Sequence, residues 1–231
     1  TPCGTLFPYT TLFRSRKLLL ADMDSTMIGQ ECIDELAAEV GLKDQIATIT
    51  ARAMAGEIAF EGALRERVAL LRDLPVSAIG QVIATRIHLT PGGPELVRTM
   101  RANGAYCVLV SGGFTDFTVT VAERIGFDEH RANRLLQDAG RLTGAVAEPI
   151  LGRQAKAEAL AEIAARRGIG TDAAIAVGDG ANDLAMLEMA GVGVALHAKP
   201  AVAERADMRI DHGDLTALLF IQGYREDEIV R

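Results

Sequence analysis

The chain has 231 residues, of which 49% are hydrophobic and 24% charged, and its formal net charge is -7. This composition is typical of a globular domain and excludes intrinsic disorder, which needs fewer apolar residues and more net charge. An acidic chain of this kind is a poor general binder of nucleic acid. No apolar run approaches the roughly 20 residues that cross a bilayer, so we expect neither a nucleic-acid nor a membrane partner.

The three cysteines, Cys3, Cys32 and Cys107, are odd in number and widely spaced. They form neither a disulfide framework nor a zinc pattern, which favours a reducing compartment, and we expect the protein in the cytoplasm. Residues 1–16, TPCGTLFPYTTLFRSR, lack acidic residues and helical periodicity. We interpret this segment as non-native or disordered and exclude it from the fold, so that any native N-terminal segment would be missing.

The first ordered element is an apolar strand, Leu18-Leu19-Leu20-Ala21, which stops at Asp22 and Asp24. Amphipathic helices then follow without an intervening strand, at about 31–40, 43–56, 57–72 and from Pro75 to about 87. A run of helices interrupting an α/β pattern predicts a helical cap at 31–90, inserted into a core formed by 17–30 and 91–231.

The remaining chain alternates between helices and strands. Strands are predicted at 106–110, 173–177, 192–196 and 208–210, a small β-hairpin at about 131–150, and helices in most of the segments between them. Such alternation is typical of a Rossmann-like, doubly wound and mostly parallel sheet, which gives an α/β fold class.

Polar residues follow three of the predicted strands: Asp22 and Asp24 after the first, Ser111-Gly112-Gly113 after the second, and Asp179, Asn182 and Asp183 after the third. In a parallel sheet these three loops lie at one edge, where such folds bind ligands. Each motif alone has a simpler explanation as a helix cap or a tight turn, and Lys156 alone fits a solvated helix lysine. Together, the carboxylates supply the hard oxygens that Mg²⁺ prefers, and the Gly-rich turn can approach an anion.

In this order, the motifs resemble those of the haloacid dehalogenase superfamily phosphatases, and within them the branch that acts on O-phospho-L-serine. The family's D-x-D-x-T appears as Asp22-Met23-Asp24-Ser25-Thr26, its G-D-G-x-N-D as residues 178–183, and the serine and lysine motifs as Ser111 and Lys156. The resemblance covers essentially all of 17–231. It implies magnesium-dependent hydrolysis of O-phospho-L-serine to L-serine and phosphate, the last step of serine biosynthesis.

The resemblance also implies a role for each motif residue. Asp22 would be the nucleophile that forms an aspartyl-phosphate, and Asp24 the general acid and then the general base. Asp22, the backbone carbonyl of Asp24 and Asp179 would hold Mg²⁺. The phosphate-binding and supporting residues would be Ser111, the Gly112 amide, Lys156, Asn182, Thr26 and Asp183.

For the amino-acid end of the substrate, the resemblance implies a cap Glu for the ammonium and a cap Arg for the carboxylate. Glu31 and Arg67 stand at the matching positions, with Arg65 close enough to be an alternative. Other possibilities are a phosphatase or phosphotransferase for phosphohomoserine or phosphothreonine, or a non-catalytic phosphate- or metal-binding domain. The oligomeric state is expected to be a monomer or a homodimer.

Overall fold

The computed structural model describes residues 16–54 and 57–231. The expectation for residues 1–16 therefore lies almost wholly outside the described part. The described residues form eight strands: β1 (Leu18–Ala21), β2 (Tyr106–Phe114), β3 (Glu129–Asn133), β4 (Leu135–Asp138), β5 (Arg141–Val146), β6 (Ala174–Gly178), β7 (Val192–Leu196) and β8 (Met208–Ile210). Six of them make one sheet in the order β3-β2-β1-β6-β7-β8, and every pairing within it is parallel.

Helices connect these strands. They are α1 (Cys32–Glu39), α2 (Lys43–Met54), α3 (Phe60–Ala69), α4 (Ser77–Thr85), α5 (Gly93–Ala102), α6 (Thr115–Ile125), α7 (Arg153–Arg166), α8 (Leu184–Met189), α9 (Pro200–Ala203) and α10 (Ala217–Ile221). No helix in the described ranges is long and apolar enough to span a membrane.

Strand β1 lies in the middle of the sheet, and all four of its residues are fully buried. Leu19 and Ala21 belong to the larger apolar cluster, which includes buried residues of α5 and α6. Leu18 and Leu20 face the opposite side and pack with residues of α7 and α8. Because alternate residues of a strand point to opposite faces, the sheet is covered by helices on both sides. The α/β, doubly wound fold class is therefore confirmed.

The helices α1 to α4 form the segment that the sequence predicts as an inserted cap. The two chain segments leading into and out of it run side by side, with an antiparallel bridge between Ile28 and Leu89. The Gly29 N–H donates to the His88 carbonyl at 3.1 Å, and the Thr90 N–H to the Met27 carbonyl at 2.9 Å. Such adjacent connections are what an insertion requires, while the boundaries at 31 and 90 remain a prediction.

Two expectations about local structure were wrong. The second strand continues to Phe114, so Ser111, Gly112 and Gly113 belong to its end instead of a following loop. The hairpin is confined to β4 and β5, because residues 129–133 form β3 at the edge of the main sheet. That strand reads Glu-His-Arg-Ala-Asn, without the apolar alternation that marks a strand in sequence, since only one of its residues is buried.

Candidate active site

Asp22 occupies the first position after β1, at the carboxyl edge of the sheet. Its N–H donates to the Val177 carbonyl at 3.0 Å, which continues the β1–β6 ladder and fixes the backbone. Its Oδ1 accepts the Met23 N–H at 2.7 Å and lies 2.7 Å from Lys156 Nζ. Only 2% of Lys156 is exposed, and the same Nζ lies 2.6 Å from Asp183 Oδ1. One ammonium thus bridges two buried carboxylates.

Asp24 is held from both sides by other elements. Its Oδ1 accepts the N–H of Cys32, in the first turn of α1, at 2.9 Å. Its Oδ2 accepts the hydroxyl proton of Ser111 at 3.1 Å, and the Ser111 hydroxyl in turn accepts the Gly113 N–H at 2.8 Å. A Cβ added at Gly113 would lie 2.7 Å from Asp24 Oδ2, so only glycine leaves room for this carboxylate.

The loop after β6 brings a third carboxylate to the same place. Asp183 is fully buried, and its Oδ2 accepts the N–H groups of Asp179 at 3.1 Å and Gly180 at 3.0 Å. The Thr26 hydroxyl donates to Asp179 Oδ1 at 2.9 Å. Carboxylate oxygens of Asp22, Asp179 and Asp183 all lie within 4.8 Å of one another.

The charges of this cluster fit a metal ion. Three carboxylates face one ammonium, so negative charge is in excess. Burial and the charge of Asp183 raise the pKa of Asp22 well above its usual value, which Lys156 only partly opposes. Burial and Asp183 likewise raise the pKa of Asp179 to about 6. Although burial lowers the pKa of Lys156, Asp183 and Asp22 together raise it above the usual value, and it stays an ammonium. A divalent cation would relieve the remaining repulsion.

These groups line a cavity of about 680 Å³. Seven of the sequence-predicted site residues lie on its wall: Asp22, Asp24, Glu31, Arg67, Gly112, Asp179 and Asn182. The other four, Ser111, Lys156, Thr26 and Asp183, lie behind the wall, and each is hydrogen-bonded to a wall residue. The cavity therefore brings all the predicted site residues together. They form one layer on the wall and one behind it, and the sequence did not distinguish the two.

Glu31 and Arg67, the two residues predicted on the cap, line the same cavity, and we call their part of its wall the amino-acid end. Glu31 precedes α1, and its Oε1 accepts the Ser25 hydroxyl proton at 2.7 Å. Desolvation by the pocket walls and repulsion from Asp24 raise the pKa of Glu31 to about 7. The half-buried Arg67 faces the cavity, whereas Arg65 points away and pairs with Glu148 at 2.6 Å. Geometry thus favours Arg67 over Arg65 as a cavity group.

One charged cavity group, Arg153, was missed in the sequence, whereas Phe60 was a candidate for the apolar side of the pocket and does line the cavity. Arg153 lines the cavity one helical turn before Lys156, on the same face of α7. The ring of Phe60 covers Gly112, with Cζ 3.3 Å from where a Cβ would lie. The i, i+3 spacing of Arg153 and Lys156 was a usable signal. By contrast, nothing in the sequence links Phe60 to Gly112, because 52 positions separate them and the contact crosses two parts of the fold.

The model of the haloacid dehalogenase-like hydrolases matches residues 19–188. The chain belongs to this family. It is similar to the phosphoserine phosphatase of Methanocaldococcus jannaschii, with 41% identity over 89% of this chain and 97% of that protein. A solved structure of the phospho-aspartyl intermediate analogue of a phosphoserine phosphatase is 41% identical, with a TM-score of 0.83, and the match covers 89% of this chain and 98% of that one.

The chain is also 44% identical to the phosphoserine phosphatase of Archaeoglobus fulgidus, over 91% of its own length but only 61% of that relative. It therefore spans less than two thirds of this curated relative. The family match includes the strand ends that carry Asp22, Ser111 and Asp179, and it also includes Lys156. Membership in a hydrolase family agrees with the carboxylate-lined cavity described above.

Proposed function

We propose that the protein is a magnesium-dependent phosphatase that hydrolyses O-phospho-L-serine to L-serine and phosphate. The observation that carries this proposal is the buried Asp22 carboxylate beside Lys156, in a cavity wall that also presents Asp24. The three relatives named above are called phosphoserine phosphatases, and their names support the same reaction and substrate.

In the first half of the reaction, an Asp22 carboxylate oxygen attacks phosphorus and the bond from phosphorus to the serine oxygen breaks. Asp24 gives its proton to that leaving oxygen. The Cys32 N–H holds the Asp24 carboxyl group through Oδ1, and the Ser111 hydroxyl, which donates to Asp24 Oδ2 here, would turn to a phosphoryl oxygen when substrate binds. In the second half, Asp24 takes a proton from water, the resulting hydroxyl attacks phosphorus, and the bond to Asp22 breaks to release phosphate.

A magnesium ion would be held by Asp22, the Asp24 carbonyl and Asp179, and when bound it would neutralise charge on the phosphoryl oxygens. Both Asp183 oxygens already accept protein donors, which suits a group that positions the site without ligating the ion directly. Ser111, the Gly112 amide, Asn182 and Lys156 would hold the phosphoryl group, and Thr26 would orient Asp179.

The substrate's amino-acid end would be read by the helical cap at 31–90. Glu31 would bind the ammonium and Arg67 the carboxylate, because a guanidinium can donate to both carboxylate oxygens at once. The hydrogen bonds that Arg67 makes to other described residues are long, 3.3 Å to the Ala63 carbonyl and 3.5 Å to the Thr50 hydroxyl. Such loose contacts leave it able to turn towards a ligand, and closure of the cap would exclude water.

The proposed reaction belongs to serine biosynthesis, for which we propose a cytoplasmic setting. We further propose that the protein is a monomer or a homodimer. The free, buried thiols of Cys32 and Cys107 support a reducing compartment. Size-exclusion chromatography with light scattering would determine the oligomeric state.

The proposal is tested by phosphate release from O-phospho-L-serine, with magnesium and then with EDTA. O-phospho-L-threonine, phosphohomoserine and p-nitrophenyl phosphate serve as comparison substrates. We expect magnesium-dependent turnover with a clear preference for phosphoserine. Better turnover of another ester would keep the chemistry and overturn the substrate. A folded, metal-loaded protein with no turnover on any ester would favour a non-catalytic binding domain.

A further inference from the structure

Near its end, β2 departs from regular pairing with β3 and then pairs with it again at its last residue. Val110 pairs with Arg131 and Phe114 pairs with Asn133. Three residues of β2, 111–113, therefore face a single residue of β3, and the strand bulges there. A bulge leaves backbone groups without ladder partners, and it can redirect a strand end towards a site. This bulge carries Ser111 and Gly112, two of the phosphate-binding groups in the proposed function.

The side chain of Asn133 replaces the missing ladder partner. Its Nδ2 donates to the Gly112 carbonyl at 2.9 Å and to the Leu151 carbonyl at 3.3 Å, while its Oδ1 accepts the Leu151 N–H at 2.7 Å. Only 2% of this residue is exposed. Two carbonyls meet the nitrogen and one N–H meets the oxygen, so only this orientation of the amide satisfies all three contacts.

The second partner of Asn133 leads directly to the lysine. Leu151 stands just before Gly152, the residue that precedes the first turn of α7, and Lys156 follows within that helix. Lys156 Nζ is in turn fixed between Asp22 and Asp183. One buried amide therefore joins the bulge of β2 to the start of the helix that carries Lys156.

We propose that Asn133 is a positioning residue for phosphoryl transfer, which fixes the Gly112 amide and the Lys156 helix at the separation that a phosphoryl group spans. The inference rests on the proposed function, because it takes Gly112 and Lys156 as the phosphate-binding groups. Asn133 itself does not line the cavity. Errors of about 1 Å in such positions lower rates by on the order of 10²-fold.

Two variants test the proposal. Asn133→Asp keeps an acceptor for the Leu151 N–H but sets a carboxylate oxygen against the two carbonyls, and Asn133→Leu removes all three hydrogen bonds at similar volume. We expect each to lower kcat/KM about 10²-fold for both phosphoserine and p-nitrophenyl phosphate. Binding of inorganic phosphate, measured by calorimetry with magnesium present, should weaken roughly tenfold, as expected when a charge-assisted hydrogen bond is lost.

Gln222→Leu is the matched control. Gln222 is another buried amide, bonded to the Leu218 carbonyl at 3.0 Å, and it does not line the cavity. All assays are run well below the unfolding midpoint of each variant. This control should lose thermal stability while its kcat/KM and its phosphate affinity stay within about threefold of wild type, since no phosphate-binding element depends on it.

Four results would overturn the proposal: near wild-type kinetics in folded Asn133→Asp, a loss confined to phosphoserine, an equal loss in Gln222→Leu, or failure of both Asn133 variants to fold. Failure of the proposed function is a separate result. It would appear as wild-type protein that does not hydrolyse phosphoserine, and the comparison would then be made with p-nitrophenyl phosphate or with phosphate binding alone.

Discussion

The two ends of the cavity are built in different ways. At the phosphate end, Asp22 is buried directly after β1 and Asp183 is buried just before α8, and both contact the ammonium of Lys156. At the amino-acid end, Glu31 and Arg67 come from the helical segment and reach solvent in part. Within the described ranges, Glu31 accepts the Ser25 hydroxyl proton, and the hydrogen bonds of Arg67 are 3.3 Å or longer.

This difference suggests that the sheet and the helical segment have different roles, the sheet in the chemistry and the helical segment in substrate choice. Main-chain ladders fix the strand ends, so the groups proposed for chemistry need little rearrangement when substrate binds. The groups proposed for substrate choice stand on helices that can move relative to the sheet. Changes at the phosphate end should therefore affect every phosphomonoester, and changes at the other end only those that carry an ammonium or a carboxylate.

Asp22→Asn should produce the largest effect on activity. The amide has the same shape but cannot act as a nucleophile, so we expect kcat for every ester to fall by at least about 10⁴-fold. Phosphate release and circular dichroism, measured on the same preparation, check the result. Substantial turnover by the folded variant would show that another group attacks phosphorus.

Lys156→Met should produce the largest effect on stability. It leaves Asp22 and Asp183 buried without their shared cation, and breaking a buried ion pair costs about 3–5 kcal/mol of unfolding free energy. Urea unfolding at pH 7 measures the loss, and added magnesium should recover part of it by binding the folded state. An unchanged unfolding free energy would mean that the carboxylates take up protons in place of the ammonium.

The phosphate end was also the part that the sequence predicted best. A short buried strand followed at once by Asp22 and Asp24 has a local signature, and the parallel topology then brings the other strand ends to the same edge. Lys156 was predicted from the family motif, but its bridging position between Asp22 and Asp183 depends on three elements distant in sequence.

What the sequence missed depends on long-range contacts. The edge strand β3 has no apolar alternation, because its main-chain pairing and polar contacts hold it in place. Asn133 bonds to Gly112 and Leu151, which are 21 and 18 positions away, so no local spacing reveals it. The choice between Arg65 and Arg67 likewise required the orientation of α3, since both residues lie off its stripe of apolar residues, Phe60, Leu64 and Val68.

Gly113→Ala should disturb the chemistry without touching the helical segment. Its Cβ would lie 2.7 Å from Asp24 Oδ2 and 3.0 Å from Ser111 Oγ, so the general acid must shift. We expect kcat to fall on the order of 10²-fold for phosphoserine and p-nitrophenyl phosphate alike.

The matched control for this change is Gly80→Ala, in α4, where the added Cβ has nothing within 4 Å. It should leave kcat unchanged and raise stability by about 0.5–1 kcal/mol, because alanine favours a helix over glycine. If Gly113→Ala were as active as this control, Asp24 would not need its observed position.

Arg67→Ala should separate the two ends of the cavity. We expect KM for phosphoserine to rise about 10- to 100-fold, since a hydrogen bond to a charged group contributes about 1.5–3 kcal/mol. O-phosphoethanolamine lacks the carboxylate, so its KM should stay within about threefold of wild type. Arg65→Ala, which removes an exposed ion pair with Glu148, should change neither substrate measurably. Equal losses on both substrates would place Arg67 in the phosphate-binding set.

The smallest expected effect is on pH dependence, through Glu31. Its pKa is raised to about 7, chiefly by desolvation and then by Asp24, so it becomes a carboxylate only as the pH rises through that value. The kcat/KM for phosphoserine should therefore rise more steeply between pH 6 and 8 than that for p-nitrophenyl phosphate, which shares the phosphate but has no ammonium.

Glu31→Gln should abolish this extra rise, leaving the two esters with parallel pH profiles. Because the folded state binds the Glu31 proton more tightly than the unfolded chain does, this group's contribution to stability is full below its unfolded pKa and is lost as the pH rises through about 7. The variant should thus have a higher Tm than wild type at pH 8 and a similar Tm at pH 4. If the pH profiles of the two esters stay different in Glu31→Gln, another group binds the ammonium. Glu31 would then not belong to the residues that choose the substrate.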